Sequence, residues 1–252
     1  MSDIILGRDG KVATIRLARP PHNFFDAAML GGIADALAQT DADPTLVVTL
    51  LTAEGRSFCA GANFAGGFAA NGTSANTVYS QAKRIFARTK PLIAAVGGPA
   101  VGGGLGLAVA ADFRVASPSA RFHCNFSTIG LHPGFALTTT LPALVGAQKA
   151  LDIMLTGRRI GGEEAVAMGL ADRLSGPDSL NEDAMAFAQS LAGQAPLAIR
   201  SIRDALPHVS VAAAEAAMAA EEVQQTSLFL SADFHEGIKA SSERRLPRFE
   251  GR

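Results

Sequence analysis

Two stretches rich in small residues have the composition of loops that leave the peptide backbone open to a ligand. The first reads Phe-Cys-Ala-Gly-Ala-Asn-Phe over residues 58–64, and the second reads Pro-Ala-Val-Gly-Gly-Gly-Leu-Gly-Leu over residues 99–107. Each follows an apolar run, residues 46–51 and 92–96, that is typical of a buried strand. Because glycine has no side chain, a ligand can approach the main chain of both loops closely.

The second loop leads into residues 105–111, whose Ala, Leu and Val content predicts a buried helix. The amides near Gly103 and Gly104 would then be first-turn donors at the positive end of a helix dipole, where negative charge is stabilised. Two amides that converge on one carbonyl oxygen would stabilise an enolate or a tetrahedral oxyanion, each by on the order of 3 kcal/mol in the transition state. The alternative is that these glycines serve only to let a helix and a strand pack closely.

In their order along the chain, these loops and several flanking motifs resemble the crotonase superfamily, also called the enoyl-CoA hydratase/isomerase family. The resemblance covers about residues 10–175 and returns weakly in the C-terminal tail. It implies a thioester of coenzyme A whose acyl carbonyl is held by the amides of Ala62 and Gly103. The matching residues are Arg19-Pro20 with Asn23, 55–62, 90–96, 102–104, 111–114, 155–160, Glu164-Ala165 and Gly169-Leu170.

The resemblance also implies where coenzyme A lies. Main-chain groups around the turn at His22, Asn23 and Phe24, together with Ala60 and Ala62, are expected to contact it, although an ordinary turn histidine is the alternative at His22. Coenzyme A arrives as part of an acyl-CoA substrate, so no permanently bound cofactor is expected. No metal site is expected either, because the two cysteines lack zinc-type spacing.

The chain departs from the family at three positions where relatives carry carboxylates. Hydratases of the family use one glutamate three residues beyond the middle glycine of the second loop and another in the segment after Ala120, and these positions hold Gly106 and Phe126. Dienoyl-CoA isomerases and 4-chlorobenzoyl-CoA dehalogenases use a later aspartate, which is Gly134 here. Since a positioned acid or base contributes roughly 10²- to 10⁴-fold, the sequence predicts that ordinary hydration is lost.

Two other side chains are candidates for moving protons. Residues 122–135 show local similarity to the 4-chlorobenzoyl-CoA dehalogenase branch, and His132 within them is a candidate base near neutral pH. Tyr79, the one tyrosine of the chain, aligns with a dehalogenase active-site histidine and is a candidate proton donor. The alternatives are a loop histidine at the surface and a tyrosine that packs in the core with its hydroxyl satisfied.

The functional prediction is therefore an acyl-CoA lyase or isomerase that uses an oxyanion hole to stabilise an enolate or a related intermediate, with His132 or Tyr79 handling protons. The alternative is a catalytically inactive homologue that only binds acyl-CoA. Cys59 and Cys124 are interpreted as small buried hydrophobic residues, because no adjacent histidine or lysine stabilises a thiolate.

The order of predicted elements favours an α/β fold. Residues 11–17 alternate like a strand with one polar face, Asp26 is a plausible N-cap for a helix over 27–39, and strands and helices then alternate as in a parallel sheet. The resemblance implies a crotonase-like (ClpP/crotonase) spiral of ββα units over residues 1–195. It further implies that residues 196–252 form a helical trimerisation region, in a homotrimer or a hexamer.

The remaining segments are predicted from composition. Small polar residues over 66–75 predict a mobile loop above the pocket. Apolar residues at helical spacing predict C-terminal helices over 181–193, 196–206, 211–230 and 234–242.

Composition narrows the classes of partner. The chain has 252 residues, 48% of them hydrophobic, and a net charge of −1 without runs of Lys or Arg, which argues against a nucleic-acid surface. No signal-like start and no apolar run of membrane length is present, so the expected location is the cytoplasm, away from membranes. The glycine spacing fits neither a dinucleotide-binding nor a P-loop motif.

Overall fold

The computed structural model describes residues 3–63 and 75–252 of the chain. The loop predicted over 66–75 lies outside the described residues, apart from Ala75, which begins a helix. The strands are β1 Ile4–Asp9, β2 Val12–Leu17, β3 Val48–Ala53, β4 Leu92–Val96, β5 Pro99–Val101, β6 Phe113–Ala116, β7 Arg121–His123, β8 Arg159–Gly161 and β9 Arg173–Leu174. The helices are α1 Ala27–Ala42, α2 Ala75–Phe86, α3 Gly103–Ala110, α4 Leu137–Val145, α5 Ala147–Thr156, α6 Gly162–Met168, α7 Leu180–Ala192, α8 Pro196–Ala205, α9 Val211–Leu228 and α10 Ala232–Ser242, with a 3₁₀ turn at Ser127–Ile129.

Within the described residues the strands form two sheets. The larger has six strands in the order β1-β2-β3-β4-β6-β9, and the smaller has three in the order β5-β7-β8. β1 and β2 pair antiparallel, and the other pairs of the larger sheet are parallel. β4 and β6 lie in the larger sheet, whereas β5 and β7, which follow them in the chain, pair in the smaller one. This arrangement confirms the predicted α/β fold and its repeated β-β-α order.

The central strands β3 and β4 of the larger sheet are buried on both faces, which explains why they are apolar almost throughout, whereas the edge strands β1 and β9 are mostly exposed. On one face, Leu50 and Ile93 pack in a cluster with Phe187 of α7. On the other, Leu51 belongs to the main core together with Ile33 of α1. Strand β2 agrees with the sequence pattern, because it buries its apolar residues and exposes Arg16. The side chain of Asp26 accepts a hydrogen bond from Met29 N at 2.8 Å, which confirms the predicted N-cap of α1.

Helix α3 begins at Gly103, two residues before the predicted start. The difference has a packing cause, since glycine is a poor helix former that composition alone does not place in a helix. A Cβ added to Gly104 would lie 2.0 Å from the carbonyl oxygen of Cys59. The helix can therefore approach the first glycine loop only because this position carries no side chain.

The C-terminal helices confirm the four predicted segments, with ends that differ by up to two residues. Helix α8 has no fully buried side chain, but its Ile199 packs partly buried against the core and its Arg203 Nε donates to Asp112 at 3.1 Å. Arg88 donates to the same carboxylate at 2.9 Å, and Leu92 N donates at 2.8 Å. Burial by itself would raise the pKa of Asp112, but the two arginines and the amide outweigh it and lower the pKa.

Among the described residues, none of the helices combines the length and the apolar content needed to cross a lipid bilayer. The same residues hold no group of three or more His, Cys, Asp or Glu side chains placed to bind a metal ion.

Candidate active site

The two glycine loops lie side by side because β5 pairs with the first loop. Val101 N donates to Cys59 O at 2.9 Å and Cys59 N donates to Pro99 O at 3.2 Å, which forms an isolated parallel bridge. A Cβ added to Gly61 would lie 3.5 Å from Gly103 N. The main chains of the two loops are thus in close contact at their glycines.

Two backbone amides are placed to donate at this junction. Gly103 is the first residue of α3, so its N–H has no acceptor within the helix. At the first loop, Phe25 and Ala62 form an isolated parallel bridge, in which Phe25 N donates to Gly61 O at 2.9 Å. The bridge uses the carbonyl of Gly61, so the amide of Ala62 takes no part in it. Ala62 and Gly103 both line one cavity of about 430 Å³.

The cavity wall is mostly apolar and comes from every part of the chain. Helix α10 closes one side with Ile238, Ser241 and Ser242, so the C-terminal residues of this chain cover its own cavity. The other apolar lining residues are Phe24, Phe25, Val78, Val101, Phe126, Ile129, Leu131, Phe135 and Phe229.

The residues expected to contact coenzyme A fall into two groups. Phe24, Ala60 and Ala62 line the cavity. Asn23 is fully buried beneath them, and its amide donates to Glu54 O at 2.7 Å and to Ser57 O at 2.9 Å. The ring of His22 also turns towards Ser57, with Nδ1 3.1 Å from the hydroxyl. The side chains of His22 and Asn23 therefore brace the turn, while its main chain remains next to the cavity, where Ala60 N donates to His22 O at 3.0 Å.

Phenylalanines fill the space at positions 106 and 126, two of the three positions that the sequence analysis predicts to lack the carboxylates of the family. A Cβ added to Gly106 would lie 2.5 Å from Cβ of Phe135, so that side chain covers the glycine. Phe126 lines the cavity and is buried. Phe135 and Ala136 both have positive φ angles, 64° and 59°, a conformation that is rare for residues with a side chain. The strained pair places Phe135 over Gly106 immediately before α4 begins.

Tyr79 lies at the third of these positions. A Cβ added to Gly134 would lie 2.6 Å from the Tyr79 hydroxyl and 2.7 Å from Nε2 of Gln225. Tyr79 donates to Gln225 Oε1 at 3.1 Å, and Gln225 Nε2 donates to the carbonyl of His132 at 2.9 Å. Burial raises the pKa of Tyr79, and the negative charge of Glu221 adds to the effect, so the group is a neutral phenol at neutral pH.

The ring of His132 is turned away from this pair. Its Nδ1 lies 2.8 Å from Pro133 O and donates to that carbonyl. The half-buried ring is not part of the cavity wall formed by the described residues, although Leu131 and Gly134 on either side of it are. The structure brings Tyr79 together with the backbone of His132, not with its imidazole.

Gln225 and Glu221 of α9 are site residues that the sequence analysis missed. Glu221 is fully buried and accepts from Ala136 N at 2.8 Å, Thr138 N at 2.9 Å and Thr138 Oγ1 at 2.6 Å, so it caps α4. Desolvation raises its pKa, against these hydrogen bonds. A signal was available, because α9 buries residues 214, 218, 221 and 225 at helical spacing, and two of the four are polar.

The cysteines agree with their interpretation as buried hydrophobic residues. Both are free and buried, and desolvation raises the pKa of each thiol to about 12. Cys59 donates its thiol proton to Asn23 O at 3.1 Å.

A family model with the description "Enoyl-CoA hydratase/isomerase" matches residues 7–252. The chain belongs to this family. It is thus a crotonase-superfamily enzyme that acts on an acyl-CoA, and the predicted crotonase-like fold is confirmed. A solved structure of an enoyl-CoA hydratase/isomerase from Pseudoalteromonas atlantica T6c superposes with a TM-score of 0.90 at 31% identity, covering 99% of this chain and 100% of that one.

Curated relatives of this enoyl-CoA hydratase/isomerase family member carry different reaction names. A probable enoyl-CoA hydratase of Bacillus subtilis is 33% identical over 258 residues, with all of both chains covered. A 1,2-epoxyphenylacetyl-CoA isomerase of Escherichia coli is 32% identical over 262 residues, also with full coverage. These names give no support to an inactive homologue. The local similarity to the dehalogenase branch stays a prediction.

Proposed function

We propose that the protein holds the carbonyl oxygen of an acyl-CoA thioester between the amides of Ala62 and Gly103 and stabilises the enolate that forms beside it. The convergence of the two glycine loops on one cavity carries this proposal. The carbonyl oxygen gains negative charge as the enolate forms, so fixed N–H donors stabilise the transition state more than the bound substrate. The dipole of α3 adds to the stabilisation because Gly103 is its first residue.

The reaction class that fits this site is proton transfer within the acyl group, as in an isomerisation, and not hydration. Hydration requires a water molecule that acidic side chains position and activate. At positions 106, 126 and 134 the chain has two glycines and a phenylalanine. The side chain of Phe135 also occupies the space above Gly106, where a carboxylate would have to lie.

Within that reaction, Tyr79 is the proposed proton donor and His132 the proposed base. Tyr79 lines the cavity, and burial, which raises its pKa, keeps the hydroxyl protonated and able to donate. Nδ1 of His132 lies 2.8 Å from Pro133 O, so Nε2 is the nitrogen that would act as the base. Leu131 and Gly134, on either side of His132 and Pro133, line the cavity.

For the rest of the substrate, we propose that pantetheine and adenine follow the main chain of residues 22–24 and 60–62. Phe24, Ala60 and Ala62 line the cavity, and the side-chain hydrogen bonds of Asn23 fix the turn that presents them. Coenzyme A then remains part of the substrate and is released with the product.

Deuterium exchange tests the proposed reaction. The protein is incubated with saturated and unsaturated acyl-CoAs in D₂O, and α-deuteration and product mass are followed. We expect exchange that falls in His132→Gln and Tyr79→Phe. Saturable binding without exchange would identify an inactive binding protein, and rapid hydration of crotonyl-CoA would contradict the interpretation of Gly106 and Phe126.

We also propose that residues 1–195 form the catalytic core and that residues 196–252 add subunit contacts in a trimer or hexamer. Helix α8 has no fully buried side chain in this chain, and its Leu197 and Ile202 are large, apolar and more than half exposed, as is Leu206 directly after it. Light scattering on the purified protein measures the mass, and Leu197→Glu with Ile202→Glu is expected to lower it. An unchanged mass would place the contact elsewhere.

A further inference from the structure

The cavity carries no charged side chain in the part of the chain that the structure describes. Tyr79 is the one ionisable group in its wall there, and burial keeps it neutral. The other polar side chains that line it, Asn125, Gln225, Ser241 and Ser242, are uncharged. A charged group that entered would lose its hydration without meeting an opposite charge.

Residues 64–74 add no charged side chain. They connect the first glycine loop to α2 and lie outside the described residues, but their sequence, Phe-Ala-Gly-Gly-Phe-Ala-Ala-Asn-Gly-Thr-Ser, has no ionisable side chain. Whatever their position, they bring no counter-charge to the cavity.

An acidic group of α9 lies behind the cavity wall. Glu221 is fully buried, and its oxygens accept hydrogen bonds from Ala136 and Thr138 at the start of α4. It acts on Tyr79 through its charge alone. A carboxylate in the cavity would therefore be repelled, and a cation would find the oxygens already engaged.

From these contacts we propose that the acyl group of the substrate is uncharged and apolar, and that the cavity rejects acyl groups that end in a carboxylate. The inference rests on the proposed function, because it places the acyl group in the cavity beside Ala62 and Gly103. Its physical basis is the large cost of burying an ion without a partner. The phenylalanines of the wall, by contrast, stabilise an apolar chain or ring through burial and ring contacts.

Hexanoyl-CoA and adipyl-CoA form a matched pair for the test. Both have a six-carbon acyl chain, and adipyl-CoA ends in a carboxylate where hexanoyl-CoA ends in a methyl group. Isothermal titration at low ionic strength measures the Kd of each without any turnover. We expect adipyl-CoA to bind at least about tenfold more weakly, the equivalent of 1.4 kcal/mol or more.

Two variants at Val78 test whether the missing counter-charge causes the preference for hexanoyl-CoA. Val78 of α2 lines the cavity and is 7% exposed. Val78→Lys introduces a counter-charge and is expected to remove most of the preference, whereas Val78→Met, similar in length but uncharged, is expected to keep it. Thermal melting shows whether both variants fold, and if the lysine variant does not, the comparison on the unmodified protein decides alone.

Equal affinity for the two compounds would overturn this inference while leaving the proposed function intact. If neither compound bound, the proposed function would fail first and the inference with it.

Discussion

The side of the candidate site that we propose binds the carbonyl is built from main chain, whereas the opposite side is built from side chains of distant segments. On the first side, Gly61 and Gly103 come within reach of each other because β5 pairs with the loop around Cys59. On the second, Tyr79 comes from α2 and Gln225 from α9, 146 residues apart in the chain. The glycines of the first side are visible in the local sequence and are brought together by one strand pairing, whereas the second side depends on how helices far apart in the chain pack.

The two sides also differ in what they tolerate. The glycine loops approach so closely that a single added methyl group would overlap another backbone. At the three positions where the family resemblance predicts carboxylates in relatives, the side-chain wall has Gly106, Phe126 and Gly134, and the chain still has the fold of the family. We infer that the main-chain side fixes the substrate class and that the side-chain side sets the reaction.

Removal of one amide donor from the main-chain side is expected to have the largest effect on activity. Gly103→Pro deletes the N–H at the first position of α3, where proline is compatible with a helix. We expect α-proton exchange to fall by about 10²- to 10³-fold, the effect of losing one oxyanion donor. Exchange rates and the red shift of bound 2,4-hexadienoyl-CoA, which reports carbonyl polarisation, measure the loss.

Gly103→Ala is the matched control for that variant. Its Cβ meets the same end of the Phe25 ring, at 2.5 Å, but the amide N–H is retained. If the alanine variant lost as much activity and red shift as the proline variant, the steric contact and not the donor would be the cause.

A methyl group added at Gly104 tests the close contact between α3 and the first glycine loop. The added Cβ would lie 2.0 Å from Cys59 O, a contact that no side-chain rotation relieves. We expect Gly104→Ala to lower the free energy of unfolding, measured in urea, by about 3 kcal/mol or more, which is the upper end of the range for overpacked sites. At Gly161 the nearest atom to an added Cβ is 3.9 Å away, so Gly161→Ala should be close to neutral. Similar losses in both would argue against the packing explanation.

The side-chain wall is tested by a double-mutant cycle on Tyr79 and Gln225. Tyr79→Phe keeps the ring and removes the hydroxyl, and Gln225→Leu removes its acceptor. Because each single change leaves a buried polar partner unsatisfied, we expect a coupling free energy of about 1 kcal/mol in urea unfolding. Additive effects would mean that the hydrogen bond does not hold α2 to α9.

The smallest expected effect is a pH dependence from Glu221. Burial raises its pKa in the folded protein, so between the unfolded pKa and the folded pKa the native state binds more protons than the unfolded state. The contribution of Glu221 to the free energy of unfolding is therefore largest at acid pH and falls as the pH rises above about 4.5. We expect the stability difference between the unmodified protein and Glu221→Gln to shrink over that range. A difference that is constant with pH would contradict the raised pKa.

Much of the fold was predictable because its signals are local. The alternating pattern of β2, the Asp26 cap of α1 and the apolar stripes of the C-terminal helices depend on neighbours within a few residues. Helix α3 begins two residues before the apolar run that predicted it, since glycine composition does not indicate a helix, and the close contact with Cys59 requires glycine at position 104. Tertiary packing decided the outcome there.

Taken alone, the sequence determined the family and the two glycine loops, since these are properties of residue type and order, and it predicts the loss of the usual carboxylates. Tertiary structure decided which side chains face the lost positions. It placed Phe135 over Gly106 and the Tyr79–Gln225 pair against Gly134, and it turned the ring of His132 towards Pro133. The physical reason is that a cavity wall depends on how helices pack, and contacts between residues far apart in the chain leave no local pattern to detect.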